Sequence, residues 1–116
     1  MSDPDAPAQV VAAAKDKAGL HGLNCAVAVD QGTAGVRCTA AAPGWIDMLL
    51  NDDFAASMPD HAGFRGRIGG LRPLRRTGKP FDVAQLIAWL GLAVAAWITG
   101  QAWTIDGGRM PQSSLP

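Results

Sequence analysis

The segment VRCTAAAPGWIDM, residues 36–48, decides the fold of this chain. The apolar run from Gly35 to Ala42 lacks a clean alternation of apolar and polar residues, which is typical of a strand covered on both faces. Pro43 and Gly44 then end the run, since these two residue types mark turns and loops. We therefore predict a buried parallel strand whose carboxyl end opens onto a crevice, where open α/β sheets bind ligands.

Two helices and a second strand are predicted around this segment. Gln9–Asp30 carries apolar residues at helical spacing, and Gly32 is a plausible stop after it. A second helix is predicted from Pro80 to about Ala96; it is apolar nearly all round and should be well buried. Gly100–Gly108 predicts a short strand with a Gly-Gly stop. The order helix, strand, helix, strand predicts a right-handed crossover between parallel strands.

The remaining stretches are predicted to be irregular. Residues 1–8 should be disordered, and residues 109–116 form a tail. Asn51–Gly70 is rich in Gly and Asp and is expected to be irregular, apart from a possible short helix over Asp52–Met58. One domain over residues 9–108 is therefore expected, of the α/β class.

Composition excludes several functions. The 116 residues carry ten basic and ten acidic side chains, so no net charge draws the chain to nucleic acid or a membrane surface. Six basic residues lie in the stretch from Arg65 to Lys79, but the stretch contains no aromatic residue and only Phe64 directly precedes it, which argues against a nucleic-acid interface. The most apolar segment, residues 83–98, is shorter than the roughly 20 residues that a membrane span needs.

The cysteines and histidines indicate no disulfide and no metal site. Cys25 and Cys38 lie in apolar surroundings on different predicted elements, and we interpret both as buried free thiols in a reducing cytoplasm. His21 and His61 lack a Cys or carboxylate cluster at ligand spacing, so a zinc site is not expected.

Five segments in this order and spacing resemble the C-terminal part of the short-chain dehydrogenase/reductase family: KAGLHGL, AVAVDQGTAGVR, APGWID, PLRRTGKPFDV and WITGQAWTIDGG. The likeness runs from about Val11 to Gly108. It implies a partial Rossmann-like fold, namely the C-terminal helix-strand-helix-strand part of a doubly wound parallel sheet. It also implies descent from an oxidoreductase that uses NAD or NADP at a carbonyl or alcohol carbon.

The resemblance implies roles for four residues. Pro43, Gly44 and Ile46 would form a shelf beside the nicotinamide, with backbone groups of Ile46 holding the carboxamide. The plainer interpretation is that Pro-Gly only ends a strand. Lys17 matches the family's active-site lysine, which lowers the pKa of a Tyr four residues earlier and holds the ribose hydroxyls. Here that position is Ala13.

The sequence lacks several other residues that the family uses for coenzyme binding and catalysis. There is no Tyr anywhere, no Gly-x-Gly turn for the pyrophosphate, and no match to the family's catalytic Ser. Met48 stands where the family often has a Thr that hydrogen-bonds the cofactor, and a Met cannot donate such a bond. We therefore expect a truncated homologue that alone neither turns over substrate nor binds NAD(P). A less favoured alternative is an unusual active enzyme that uses Lys17 and an unknown acid.

An isolated chain of this kind should associate with other subunits. A two-stranded sheet leaves unpaired backbone groups at an open edge, and the first helix packs against its mate in family dimers. We expect either a homo-oligomer or docking onto a full-length family member. In the second case the chain would function as an interaction module. Trp89, Trp97 and Trp103 are predicted to pack the last helix on the last strand, whereas Trp45 could face a ligand.

Overall fold

The computed structural model describes residues 19–110 and contains helices and a parallel sheet. The helices and strands are α1 (Leu20–Gly32), β1 (Ala40–Pro43), α2 (Leu49–Ala56), α3 (His61–Gly70), α4 (Pro80–Gly91), a 3-10 turn (Ala93–Ala95) and β2 (Ala102–Ile105). The described chain divides into two compact units, residues 19–40 with 88–103, and residues 41–87 with 104–110. No described helix is long and apolar enough to cross a bilayer.

The two strands pair in parallel, as the sequence predicts. The Ala40 N–H donates to the Gln101 carbonyl at 2.9 Å, and the Gly44 N–H donates to the Ile105 carbonyl at 2.9 Å. From the first hydrogen bond to the second, the residue numbers of donor and acceptor both increase by four, as they do between parallel strands. In the described residues the sheet has only these two strands, so a partial α/β Rossmann-like fold is confirmed.

The first strand is shorter and more exposed than predicted. Only Ala40–Pro43 are in the strand, and residues 36–39 lead into it, where the Cys38 N–H donates to Thr99 Oγ1 at 3.0 Å. Ala42 and Pro43 are exposed, so the expectation of cover on both faces is wrong for the described residues. The faces of a parallel strand are covered by helices packed on the sheet, and the described helices leave the end of β1 uncovered.

Helix α1 ends at Gly32, where the sequence predicts its stop. Its buried residues are Gly22, Asn24 and Ala28. The Asn24 side-chain amide donates to the Gln101 carbonyl at 3.3 Å, which ties the helix to the segment before β2. The predicted residues 9–18 of this helix, with Lys17, lie outside the described residues. Gly19 has φ 71° and stands before the helix.

Both cysteines are free thiols, as expected, but they are half-buried and not fully enclosed. The Cys25 thiol contacts the Gly100 carbonyl at 3.4 Å.

The prediction of an irregular Asn51–Gly70 segment is wrong, apart from its possible short helix over Asp52–Met58, which overlaps α2. Two helices, α2 and α3, occupy most of it. Helix α3 forms despite its four glycines because Asp60 caps it: the carboxylate accepts a hydrogen bond from the Gly63 N–H at 3.1 Å. Gly69 is buried against the backbone of Arg76, where an added Cβ would lie 3.3 Å from the Arg76 Cα. Gly69 therefore permits close packing of α3 against the segment that follows it.

Helix α4 starts at Pro80 as predicted but ends at Gly91, before the predicted end near Ala96. Leu92 is extended, and a separate 3-10 turn follows. The expectation that this helix is well buried is also wrong, since Leu90 is its only buried residue and Ile87 is 56 % exposed. Arg37 stabilises the carboxyl end, because its guanidinium donates to the Leu90 carbonyl at 2.7 Å and the Ile98 carbonyl at 3.2 Å.

Candidate functional site

The end of β1 is held against the end of β2 by Gly44. A Cβ built on Gly44 would lie 2.8 Å from Asp106 Cβ and 3.0 Å from Asp106 Cα. Such separations lie well inside van der Waals contact, so a side chain at position 44 cannot be accommodated without moving the backbone of Asp106. Gly44 therefore does more than end a strand: it lets the two carboxyl ends meet.

Ile46 lies directly beyond this contact in an isolated parallel bridge with Gly78. The Gly78 N–H donates to the Trp45 carbonyl at 2.9 Å, and the Asp47 N–H donates to the Gly78 carbonyl at 2.8 Å. In such a bridge the flanking residues make the hydrogen bonds, so the N–H and C=O of Ile46 itself point away from Gly78. The Ile46 side chain is only 8 % exposed, which fixes this orientation.

This arrangement fits a primary carboxamide, the polar group of nicotinamide. A carboxamide needs one donor and one acceptor side by side, and the N–H and C=O of a single extended residue supply both. The Asn51 side-chain amide already donates to the Ile46 carbonyl, which keeps a second lone pair. Asn51 and Gly78 contact Ile46, and Asp106 lies against Gly44; sequence reasoning missed all three contacts.

Helices α2 and α3 form a pair beside this shelf, joined by an aromatic cluster. The ring centroids of Trp45 lie 6.1 Å from Phe54 and 5.5 Å from Phe64, and the two Phe rings lie 5.9 Å apart. Tilted and edge-on pairs of this kind stabilise packing beyond their buried area. The guanidinium of Arg67 lies 6.0 Å from the Phe64 ring centroid. The residue after Pro-Gly is thereby packed against both helices.

Three of the six basic residues from Arg65 to Lys79 form ion pairs with aspartates. Arg65 pairs with Asp52 and, at 3.4 Å, with Asp47. Asp47 also accepts a hydrogen bond from the Thr77 hydroxyl at 2.8 Å. This network ties the segment after β1 to both α3 and the segment before α4.

Three further carboxylates are held in the ionised form. The hydrogen bond from Arg67 and the Gly63 N–H lower the pKa of Asp60. Arg76 donates to both oxygens of Asp82, at 2.7 and 2.9 Å, and with the Lys79 N–H lowers the pKa of Asp82 to about 2.

Asp106 follows β2 and is held in the same way. The backbone N–H groups of Met110 and Gly108 donate to its two oxygens at 2.7 and 2.8 Å and lower its pKa.

Comparison with known proteins identifies the architecture. Residues 6–109 match the family described as enoyl-(acyl carrier protein) reductase. This match covers most of the chain. The chain belongs to the short-chain dehydrogenase/reductase family. Among solved structures, the aldohexose dehydrogenase of Thermoplasma acidophilum is similar with a TM-score of 0.75 and 30 % identity, over 84 % of this chain and 40 % of that chain.

Curated relatives match over a similar stretch. L-rhamnose 1-dehydrogenase (NAD(P)(+)) of Sphingomonas sp. is 37 % identical over 92 residues, which are 79 % of this chain and 35 % of the relative. A tropinone reductase homolog of Arabidopsis thaliana is also 37 % identical over 92 residues, 79 % of this chain and 34 % of the relative. The chain thus spans about a third of the length of the curated relatives it matches.

The structure brings together three of the four site residues predicted from the sequence. Pro43 is the last residue of β1, Gly44 follows it, and Ile46 lies in the isolated bridge beyond, so their role beside a nicotinamide stays a prediction. Lys17 lies outside the described residues. Met48 is the residue before α2, and its thioether cannot donate the hydrogen bond that the family's usual Thr would make to a cofactor.

The tryptophans that were predicted to pack α4 on β2 differ in their burial. Trp89 and Trp103 make an edge-on contact, with centroids 6.1 Å apart, as predicted for α4 on β2. Trp97 is 99 % exposed, so its prediction as a core residue is wrong. A 3-10 turn over Ala93–Ala95 stands where a continuous helix was predicted. Because of this turn, the Trp97 side chain points outward.

Proposed function

We propose that these residues supply the nicotinamide-side shelf of an NAD(P)-dependent oxidoreductase that acts on a carbonyl or alcohol carbon. The observation that carries the proposal is the Ile46–Gly78 bridge, which leaves the Ile46 N–H and C=O directed away from Gly78 at the carboxyl end of a parallel strand. Relatives named for L-rhamnose and aldohexose oxidation support a hydroxyl-bearing substrate class.

In this proposal the coenzyme carries out the hydride transfer, and the chain positions the coenzyme. When bound, the nicotinamide supplies the hydride that this chemistry requires. Ile46 would orient the ring through its carboxamide, and Gly44 would keep the strand ends close enough for that orientation. The α2–α3 pair, packed on Trp45 and tied by Arg65, would cover the substrate side and exclude water.

We infer that the 116-residue chain does not catalyse this reaction alone. A positioned acid contributes about 10²- to 10⁴-fold to rate, and the position four residues before Lys17 is Ala13 in a sequence without Tyr. We place the chain in the cytoplasm, where its two free cysteines stay reduced.

The test is coenzyme turnover by the purified chain. NADH or NADPH is mixed with ketones or aldoses, and absorbance at the coenzyme band is followed against a Lys17→Ala variant. We expect no consumption above the background of the variant. Turnover that is lost in Lys17→Ala would contradict the proposal and support an active enzyme with an unfamiliar acid.

A second candidate function is an interaction module that docks onto a full-length family subunit. Its support is the large exposed apolar surface of α4, where Phe81 is 70 % exposed, together with the single partner of each strand in the described sheet. Co-expression with a full-length family member tests it: stoichiometric co-purification is expected, and it should weaken when Phe81 is replaced by Glu. The same surface also suits self-association, which size-exclusion chromatography of the chain alone would detect.

A further inference from the structure

The first two turns of α1 carry a histidine and a cysteine on the same face. His21 and Cys25 are four residues apart, and side chains at this spacing lie one above the other on a helix. The Cys25 Sγ lies 3.9 Å from the His21 Nε2, and this contact is open to solvent. His21 is exposed and Cys25 is half-buried. Neither residue belongs to the nicotinamide shelf.

The segment before β2 fixes the position of the sulfur from a second element. The Cys25 thiol donates to the Gly100 carbonyl at 3.4 Å, and a Cβ built on Gly100 would lie 3.4 Å from the Ala28 Cβ. The Asn24 amide donates to the Gln101 carbonyl at 3.3 Å. All five residues belong to one compact unit, residues 19–40 with 88–103. The sulfur is therefore positioned before any ligand arrives, which lowers the entropy lost on binding.

The separation of the two side-chain atoms suits a metal ion bound between them. Nitrogen and sulfur ligands lie about 2.0–2.1 Å and about 2.3 Å from a d¹⁰ ion such as Zn²⁺. Two such ligands are therefore about 3.6 Å apart at a tetrahedral angle and about 4.3 Å apart on opposite sides of the ion. The observed 3.9 Å lies between these limits, so His21 and Cys25 can bind one ion with only small side-chain movements.

The number and type of ligands select the ion. In residues 19–110, no third His, Cys, Asp or Glu side chain joins the pair to form a three-ligand group. Zn²⁺ sites in proteins use three or four side-chain ligands, so the pair does not suit zinc. A thiolate with an imidazole suits Cu(I), a soft ion that is stable with two ligands. The reducing cytoplasm in which we place the chain keeps copper in this oxidation state.

We propose that His21 and Cys25 form a Cu(I) site. The ion binds to His21 Nε2 and Cys25 Sγ, and the thiol releases its proton to water as the copper–sulfur bond forms. Copper keeps its oxidation state, so no further reactant is needed. The hydrogen bond from the thiol to Gly100 is lost, while Asn24 continues to hold α1 against the segment before β2. The site is independent of coenzyme binding.

Competition for Cu(I) with a coloured chelator tests the proposal on the full 116-residue chain. The chain is titrated without oxygen into the Cu(I) complex of bicinchoninate, and the loss of colour measures transfer of copper to the chain. We expect one Cu(I) per chain, at the same ratio at two protein concentrations, because both ligands come from one chain. An equal concentration of Zn²⁺ should not displace the copper.

Four variants locate the site. Cys25→Ser should abolish the transfer of copper. His21→Leu removes a direct ligand, so it should weaken binding at least as much as the roughly 10- to 100-fold that loss of an outer partner costs. Cys38→Ser and His61→Leu are the matched controls, because Cys38 is also a half-buried free thiol and His61 is also an exposed histidine in a first helical turn. Both controls should bind Cu(I) like the parent chain.

Three outcomes would overturn the proposal. One is that the parent chain takes no copper from the chelator. Another is that His21→Leu binds as tightly as the parent, which means that the thiol alone holds the ion. The third is loss of binding in Cys38→Ser, which means a site made of two thiols.

Far-UV circular dichroism of each variant checks that α1 is kept. If His21→Leu loses helix, His21→Gln removes the imidazole but keeps a polar side chain at this exposed position, and its affinity decides the question. Because no coenzyme is used, failure here leaves the proposed oxidoreductase function unaffected.

Discussion

Replacing Gly44 with Ala tests whether the end of β1 depends on close approach to β2. Gly44 does not have a positive φ, so Ala can adopt its backbone conformation, and any effect is steric. The new Cβ would lie 2.8 Å from Asp106 Cβ and 3.0 Å from Asp106 Cα. Neither atom is the tip of a flexible side chain, so the strand ends must separate.

The magnitude follows from two opposing effects. Overpacking of this kind costs about 1–3 kcal/mol, whereas Ala in place of Gly restricts the unfolded chain and gains about 0.4–1 kcal/mol. Taking the middle of each range, a cost of about 2 kcal/mol and a gain of about 0.7 kcal/mol leave a net loss of about 1.3 kcal/mol. In a domain of this size each kcal/mol shifts the melting temperature by roughly 4–8 °C, so Gly44→Ala should melt roughly 5–10 °C below the parent chain.

Gly66→Ala is the matched control. Gly66 lies inside α3, and a Cβ there meets nothing within 4 Å. Because Ala is favoured over Gly in a helix by about 1 kcal/mol, this variant should melt above the parent. Far-UV circular dichroism at two protein concentrations measures both variants and separates unfolding from dissociation. If Gly44→Ala melts at or above the parent temperature, the packing argument for the shelf is wrong.

Three further substitutions have defined outcomes. The folded pKa of Asp82 is about 2, below its unfolded value near 3.8. Its stabilising effect is therefore complete above pH 4 and disappears toward pH 2, and the difference in melting temperature between parent and Asp82→Asn should close over that window. Arg65→Met removes two largely exposed ion pairs and should lower stability by only about 0.2–1 kcal/mol in urea denaturation. Arg37→Met leaves two partly buried carbonyls without a donor and should lower it by about 1–3 kcal/mol, so a smaller loss than in Arg65→Met would contradict the helix-clamp role.

Features set by local sequence could be predicted. The parallel pairing of the two strands, the stop at Gly32 and the start of α4 at Pro80 follow from turn residues and apolar runs. The position of Gly44 directly after β1 also follows from the sequence. Its reason, contact with Asp106 from a strand about 60 residues later, does not, because one-dimensional patterns carry no distances between distant residues.

The errors arise where tertiary contacts override composition. The four glycines of α3 indicate a loop, but the Asp60 cap and the close approach of Gly69 to Arg76 favour a helix. The apolar α4 indicates a buried helix, yet burial depends on neighbouring layers, and the described residues supply few.

The most direct test of the proposed function is a chimera. It joins this chain to the N-terminal part of a relative, which is the part that this chain does not match. In a chimera, residues 11–108 replace the matching C-terminal part of Thermoplasma aldohexose dehydrogenase, with either Ala13 or a Tyr introduced by Ala13→Tyr. Aldose-dependent reduction of the coenzyme is then measured. We predict that the Ala13 chimera is slower by about 10²- to 10⁴-fold than the Ala13→Tyr chimera, and that Lys17→Ala removes the gain. If both chimeras fold and Ala13→Tyr gives no turnover above the Ala13 form, the proposed active-site role of this chain is contradicted.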